Sequence, residues 1–428
     1  MSAAFRPTVY AIDFGTSNSL LAAANAEATC PPIPLDPAAS DPTLLRSLLF
    51  FGEAGHFTCG AAAISDFVQG GLSGRFIRSI KKYLPERGFS GTQIGHRNMT
   101  IDNLIACFLR VMRERANEHF GVTVSRVVLG RPAKYSVNED DDRYAEERMK
   151  RAAQIAGFEE VSFCPEPVAA AHDFHLDTGR ETKVLVADFG GGTSDYTIVR
   201  MNRGGFSPDD VLALGGVSLA GDVLDGCIMR RKVARHFGAE VTYKVPMGNN
   251  VLPMPRPIIE KLCSPADMTV LRHRDILSFL EDVKAWSLGA DDRRRMDQLL
   301  TLVEDSLAFQ IFDAIERAKV QLSSASSTQV EFDYPSIHIR EPLTRVDFES
   351  AAEKPIDAIL ASLDRTVESA GLTYGDVDVV CCTGGTARVP RIAEAVVARF
   401  GREKVRQLSS FHSVVQGLSE RARQIAAA

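Results

Sequence analysis

Asp13 and Asp188 stand 175 positions apart in nearly the same local sequence. Residues 10–19 read Y-A-I-D-F-G-T-S-N-S, and residues 186–197 read V-A-D-F-G-G-G-T-S-D-Y-T. Each copy is an apolar run ending in Asp-Phe-Gly, a turn of Gly, Thr and Ser, and a second β-prone run at 20–24 or 196–199. That is a hairpin signature with a carboxylate at the end of its first strand. A turn of such small residues exposes successive backbone N–H groups, and its hydroxyls add donors, so it can cradle phosphate oxygens. Two carboxylates facing each other across the gap can hold Mg2+ through its water shell and offset phosphate charge. One such hairpin is an ordinary turn; two at the spacing of a duplicated domain make a candidate phosphate site. A third element, T-G-G-T-A-R-V-P at 383–390, follows an apolar run and opens a helix. Its paired glycines let a flat ring approach the backbone, and Pro390 suits a first helical turn.

Other chemistries fail on their motifs. Asp-Phe-Gly also marks protein kinases, but the chain has no G-x-G-x-x-G loop, no V-A-I-K strand and no H-R-D-L-x-x-x-N catalytic loop, the H-R-D at 273–275 continuing as I-L-S-F-L. It has no G-x-x-x-x-G-K-[ST], which excludes a P-loop enzyme. The eight cysteines form no C-x-x-C pair and have no companion histidine spacing, so no zinc site is expected and their usage fits a reducing cytoplasm. Cys381 and Cys382, adjacent in an apolar run, are expected as packed core thiols. With 49 basic and 55 acidic residues and a net charge of -6, the chain has no basic field for nucleic acid. No apolar run approaches the ~20 residues a bilayer span needs. The first residues lack a basic region and carry Asp13 in their first apolar run, so no secretory signal is expected.

The elements that must position these motifs alternate. Apolar runs at 8–12, 124–129, 183–187 and 378–382 read as buried strands, and helical periodicity is clearest at 101–120, 138–156, 299–322 and 390–400. That alternation predicts an α/β fold. The 138–156 helix opens on Asn138 as N-cap and the run Glu139, Asp140, Asp141, Asp142, and closes with Arg148, Lys150 and Arg151, the polarity that complements a helix dipole. Pro/Gly-rich stretches at 30–42 and 246–257, and a turn-rich one at 202–208, read as loops or crossings between subdomains. At ~150 residues per domain, 428 residues hold two to three compact units.

Taken in order, these motifs resemble the actin/hexokinase-like ATPase superfamily, and more closely the ATPase domain of the 70-kDa heat-shock (DnaK-like) chaperones. G-R-P-A at 130–133 before a helix, then A-G-F at 156–158, is similar to that family's strand–helix–AGL stretch. E-P-V-A-A-A at 166–171 resembles its E-P-T-A-A-A motif, and E-R-A-K at 316–319 with L-S-S at 322–324 resembles its E-R-A-K-x-x-L-S-S helix. S-I-K-K-Y-L at 79–84 resembles the segment carrying its catalytic lysine. The resemblance runs over essentially the whole chain. It implies an actin-like α/β fold, two lobes built on duplicated mixed sheets with a ribonuclease H-like core around a central nucleotide cleft. Lobe I is expected at 1–182 with an inserted subdomain at about 31–121, and lobe II at 183–404 with one at about 222–340. Residues 405–428 are expected as a C-terminal helix returning to lobe I.

The same resemblance implies ATP or ADP and Mg2+ as cofactors, and roles residue by residue. Gly15, Thr16 and Ser17, with Gly190, Gly191, Gly192 and Thr193, would hold the β- and γ-phosphates, and Gly221 would line the phosphate side. Asp13 and Asp188 would take magnesium through water, with Asp195 nearby. Lys81 would reach the γ-phosphate and help place the attacking water, and Glu166 would bind the magnesium waters where the lobes cross. Glu316, Lys319 and Ser323 would meet ribose and adenine, and Gly384, Gly385, Thr386 and Arg388 would close the other side of the nucleoside. Lys81, Glu166, Asp188, Thr193 and Asp195 form the catalytic set. Lys81 beside Lys82 also suits a solvated pair, and Glu316 with Lys319 a surface ion pair at helical spacing.

Departures from the family pattern bear on function. Val320 stands where the chaperones carry an arginine on the adenine, and Phe411 where they carry an aspartate near the phosphates. Ala220 replaces a glycine, and residues 237–295 are longer and richer in proline and charge. The resemblance stops before the client-gripping β-sandwich and its lid, so the expectation is a likeness to the short, ATPase-only (YegD-like) members. The implied function is a slow Mg-dependent ATPase of chaperone type, a cytoplasmic, monomeric or weakly oligomeric switch working with a protein partner or client. A sugar-type kinase of the same superfamily and an actin-like assembly protein are the alternatives.

Overall fold

The computed structural model describes residues 5–16, 18–39, 41–52, 56–69, 74–78, 80–95, 97–132, 134–136, 138–169, 181–201, 210–407 and 412–428. Ser17, Ser79, Ala133, Ala170, Ala171, residues 202–208 and Phe411, all named above, lie outside the described residues.

Both predicted hairpins form, each at the middle of its own sheet. In the first, β1 (Val9–Phe14) runs antiparallel to β2 (Asn18–Ala24), which also pairs with β3 (Thr29–Cys30) and β4 (Leu45–Arg46). Beyond β1 come β5 (Arg126–Arg131) and β6 (Glu160–Pro165), both parallel. The second sheet pairs β7 (Thr182–Phe189) with β8 (Ser194–Met201), adds β9 (Val211–Val217) antiparallel to β8, and adds β10 (Val379–Thr383) and β11 (Val405–Gln407) parallel beyond β7. The strand orders β6-β5-β1-β2-β3 and β11-β10-β7-β8-β9 match position for position and sense for sense. The repeated motif is therefore the visible part of a repeated topology, and the chain has the mixed α/β architecture of the actin-like fold.

Mid-sheet strands in such a fold are covered on both faces, so they read as unbroken apolar runs. Tyr10, Ile12 and Phe14 of β1 pack toward α1 (Ile101–Phe120) and α2 (Glu139–Ile155), while Val9 and Ala11 pack toward the C-terminal helix His412–Ala427. In the second sheet Leu185, Ala187 and Phe189 join the large core, and Val184 and Val186 meet Cys381 on the opposite face. Cys381 and Cys382 are both buried, one on each face, and all eight cysteines are free.

Local signals fix most helix ends. Thr100 caps α1 and Gly121 closes it in the left-handed region at φ 65°. Asn138 accepts from the backbone N–H groups of Asp140 and Asp141 at the start of α2, as its sequence predicts. After β9, α3 (Gly221–Ile228) opens against the second hairpin. The single helix expected at 299–322 is two, α4 (Asp292–Glu304) and α5 (Ala308–Gln321). Ser306 breaks it at φ 56°, and Leu302, Val303 and Leu307 stay buried across the break, so the apolar period continues although the helix does not. The basic residues expected to complement the end of α2 divide as well. Arg148 is 2% exposed and turns inward, because Asp102 and a set of backbone carbonyls accept its hydrogen bonds there.

The C-terminal helix lies on β1 and β2 and reaches the turn at 166–169. Contact is so close that a Cβ added at Gly417 would sit 1.9 Å from Ala169 O. Gly417→Ala is therefore expected to push the helix off this turn and cost about 1–3 kcal/mol, as overpacking does. A lowered urea midpoint with unchanged helical content is the expected result; an unchanged midpoint contradicts the seating.

Candidate functional site

The turn after β1 is supported from behind. Ser47 Oγ donates to Gly15 O at 2.7 Å, and Ser19 Oγ lies 2.9 Å from Ser47 Oγ, both serines being buried. A Cβ on Gly15 would meet Asn18 O at 2.2 Å, so only glycine fits there. Thr16 follows, half-buried.

The turn after β7 is held from two sides. Gly190 N donates to Thr193 O at 2.9 Å, closing the turn. Gly190 O accepts from Thr386 Oγ1 at 2.8 Å and from Gly221 N at 3.3 Å, and Gly191 O accepts from Asp222 N at 2.7 Å. The structure thus brings Gly190, Gly191, Gly221 and Thr386 together. Gly192 and Gly385 face open space. Thr193 Oγ1 donates to Asp195 Oδ2 at 2.7 Å, and both residues are exposed.

Between the turns sits a group of acids around one ammonium. Register places Asp188 directly across from Asp195, a like-charge pair that normally destabilises a ladder. Thr383, the parallel neighbour of Asp188, donates through Oγ1 to Asp188 Oδ1 at 2.9 Å. Gly384 follows at φ 84°, where a Cβ would meet Phe189 O at 2.1 Å and Asp188 Oδ1 at 2.9 Å. Lys81 Nζ donates to Glu166 Oε1 at 2.6 Å, and the two side chains are 11% and 20% exposed. Glu166 opens the helical turn at 166–169 straight after β6. Burial, then Glu166, push the Asp13 carboxyl up to about 8, with Asp188 adding to the rise and Lys81 opposing it. Burial pushes Asp188 up to about 6, helped by Glu166 and Asp195 against the Thr383 hydroxyl and Lys81. Burial alone would lower the Lys81 ammonium, but Glu166, Tyr135 and Asp13 outweigh it and hold it above the usual lysine range.

These residues fit a hydrated divalent cation. Asp13, Glu166, Asp188 and Asp195 give an excess of hard oxygen donors over Lys81, beside two turns that suit phosphate. Among the described residues no three His, Cys, Asp or Glu side chains gather closely enough to ligate a metal directly. An ion here would keep its waters between itself and the acids.

On the nucleoside side the expectations divide. Lys319 is buried on α5, where Nζ donates to Asp225 Oδ2 at 2.9 Å and to Gly221 O at 3.2 Å. It is no surface ion pair with Glu316, which is exposed one turn earlier. Ser323 follows the end of α5, Val320 is 55% exposed, and Arg388 is exposed at the start of the Pro390–Phe400 helix. α5 also touches the first half of the molecule: Arg46 lies 3.7 Å from Asp313, and the Phe76 and Phe309 rings are 5.6 Å apart. A cavity of about 620 Å³ opens beside this contact, lined among others by Ile64, Asp313 and Arg317, and includes none of the central acids.

Sequence reasoning missed several residues. Asp225, four positions after Gly221, holds Lys319, and its buried Oδ1 has no hydrogen-bond partner among the described residues. Tyr135 brings a buried hydroxyl, likewise without a hydrogen-bond partner among the described residues, into the electrostatic reach of Lys81 and Glu166. Neither carries a local signal, since each acts on a segment distant in the chain.

Duplicated sheets, paired glycine-containing turns and an acid cluster around one lysine define a mixed α/β architecture of the actin-like class. A family model described as Hsp70 protein matches residues 82–252 and 293–422. The chain belongs to the Hsp70 family. It is 27% identical over 427 residues to the chaperone protein DnaK of Thermosipho melanesiensis, an alignment covering 97% of this chain and 59% of that protein. To DnaK of Thermosipho africanus it is 27% identical over 426 residues, covering 97% of this chain and 58% of that protein. The chain thus spans less than two thirds of the length of these relatives. The unmatched stretch 253–292 falls within the insertion singled out at 237–295.

Asp13 and Asp188 bind protons more tightly in the folded protein than in the unfolded chain, where such a carboxyl titrates near ~3.9. Between about pH 4 and pH 8 the folded state therefore holds more protons, and this contribution to stability is lost as pH rises through the folded values. In protein free of nucleotide and metal, Asp13→Asn is expected to remove part of the fall in urea midpoint across that window. A wild type and variant with parallel pH profiles contradict the acid cluster.

Proposed function

We propose that the chain binds ATP and ADP with Mg2+ between its two hairpin turns and hydrolyses ATP slowly, as an Hsp70-type conformational switch. The observation that carries this reading is the Lys81–Glu166 pair set among Asp13 and Asp188, at the ends of two duplicated hairpins. Family membership supports it, and the relatives named above are chaperones.

In this reading Gly15, Thr16 and Ser17 on one side, and residues 190–193 with Gly221 on the other, grip the β- and γ-phosphates through backbone N–H groups and hydroxyls. Magnesium, when bound, supplies charge neutralisation at the phosphates, with Asp13 and Asp188 as the groups that hold its waters. Lys81, kept charged by Glu166, donates to the γ-phosphate and to the attacking water. Water oxygen bonds to the γ-phosphorus as the bond to the β–γ bridging oxygen breaks, giving ADP and phosphate. The water's proton passes to the released phosphate, while Glu166 binds the magnesium waters with Asp195 nearby. Glu316, Lys319 and Ser323 meet the ribose and adenine, opposite Gly384, Gly385, Thr386 and Arg388. Positioning and charge neutralisation dominate such a reaction, and without a strong base slow turnover follows.

Lobes at 1–182 and 183–404, tied by a C-terminal helix that begins at His412 and not at 405, where β11 continues the second sheet, would close on the nucleotide, and a protein partner or client in the cytoplasm would read that closure. The contacts Arg46–Asp313 and Phe76–Phe309 are of the kind that would hold the closed state.

The purified protein is expected to release phosphate slowly from Mg-ATP. Lys81→Ala and Asp188→Asn are expected to lower turnover by roughly 100-fold or more while the circular dichroism spectrum is unchanged. Turnover should be measured against a panel of sugars and against unfolded protein. A phosphosugar product would instead establish a small-molecule kinase, and ATP-dependent sedimentation an assembly protein.

A further inference from the structure

We propose that Arg148 is the positioning residue that holds Lys81 in place. The inference rests on the role given to Lys81 above and adds a residue that touches neither phosphate nor metal in that reading.

Lys81 lies in the short 3-10 turn Ile80–Tyr83, and the chain from there to residue 90 belongs to no strand. Its own backbone bonds are short-range ones: Leu84 N to Lys81 O, Glu86 N to Tyr83 O and Phe89 N to Glu86 O, each 3.2 Å. Such a segment has no ladder to fix it. Its far end is tied by Arg87, which donates to Asp141 Oδ1 at 2.7 Å and Asp140 O at 3.1 Å, and by Ile101 N, which donates to Ser90 O at 3.1 Å; the carbonyls next to Lys81 are held by a guanidinium from α2. Arg148 Nη1 donates to Tyr83 O at 3.3 Å, Leu84 O at 3.2 Å and Glu86 O at 3.4 Å, and Nη2 donates to Phe89 O at 3.2 Å. Nε donates to Asp102 Oδ1 at 3.1 Å, and the other Asp102 oxygen accepts from Arg151 Nε at 2.9 Å. The Arg148 side chain is 3% exposed, and its guanidinium carbon lies 5.1 Å from the centre of the Tyr144 ring.

The planar guanidinium fork fixes several bond directions at once, which a point charge does not do. Removing it would take the guanidinium donor from Leu84 O and Phe89 O, a desolvation cost, while Tyr83 O, Glu86 O and Asp102 keep Glu86 N, Phe89 N and Arg151 as donors. The apolar anchors of the segment, Ile80 and Leu84 in the core and the Tyr83–Phe89 stack at 4.6 Å, would remain. The expected consequence is a turn that stays attached but is no longer registered to α2, with the Lys81 ammonium displaced from its 2.6 Å contact with Glu166. Misplacing a reacting group by about 1 Å can cost ~100-fold in rate without matching loss of binding.

The test compares the full-length wild type with Arg148→Lys and Arg148→Met by steady-state Mg-ATP hydrolysis and by hydrogen–deuterium exchange over residues 80–90. Arg148→Met is expected to lower kcat roughly tenfold or more with KM for ATP changed less than about threefold, a split that general destabilisation does not produce. Arg148→Lys, which keeps the charge and three donors, is expected to recover part of kcat. Exchange over 80–90 should quicken in the same order. A kcat in Arg148→Met within about twofold of wild type, or equal losses of kcat and ATP affinity, overturns the inference. If Arg148→Met does not fold, Arg148→Lys decides by the same two readouts. A wild type that hydrolyses no ATP contradicts the function proposed for the site rather than this role. Exchange alone then decides: faster exchange confined to 80–90 supports the role, and unchanged exchange overturns it.

Discussion

Glu166 raises the affinity of both Asp13 and Asp188 for protons, and Lys81, paired with Glu166, is the cation that acts against that rise. Bringing like charges together in a half-buried cleft works against folding, so the surrounding structure must hold each acid in place. β1 and β7 supply two of them at equivalent ends of duplicated sheets. The turn after β6 supplies Glu166, and Gly417 gives that turn room beneath the C-terminal helix. Thr383 and Gly384 press against Asp188 from the neighbouring strand. In the function proposed for the site, that strain is relieved by a divalent cation and the phosphates that accompany it.

Duplication explains why two distant stretches of chain can build one site. Each half supplies a hairpin, and close backbone demands glycine in or beside its turn: Asn18 at Gly15 within the first, and Phe189 at Gly384, which follows β10 beside the second. The second turn is further tied to the start of α3 through Gly221 and Asp222, and to Thr386 beyond β10. α5 connects this nucleoside side to the first half through Asp313 and Phe309. A change in what the turns hold can therefore reach the contacts at the cleft mouth through a few packed elements.

Much of this was legible in the sequence where the signal is local. Turn chemistry and alternation gave both hairpins, and Asn138 gave the start of α2 to the residue. The ends of α1 at Ile101 and Phe120 followed from its apolar period. The break at Ser306 was illegible because the apolar period runs through it. Arg148 looked like an ordinary basic residue near a helix end, since the carbonyls that bind it lie about sixty positions earlier. Lys319 was expected against ribose, and its tie to Asp225 depends on α3 meeting α5, which no spacing in the chain announces.

The central claim is that the acid cluster and the paired turns form one nucleotide–magnesium site. The measurement that bears on it most directly is the melting temperature of the wild type with ADP alone, Mg2+ alone and both together. A ligand at 100 times its dissociation constant stabilises the folded state by about 2.7 kcal/mol, a shift of several degrees at least. The account predicts a rise with Mg-ADP that exceeds the sum of the separate rises and is abolished by Asp188→Asn. No rise with Mg-ADP, or an equal rise in the variant, would contradict it.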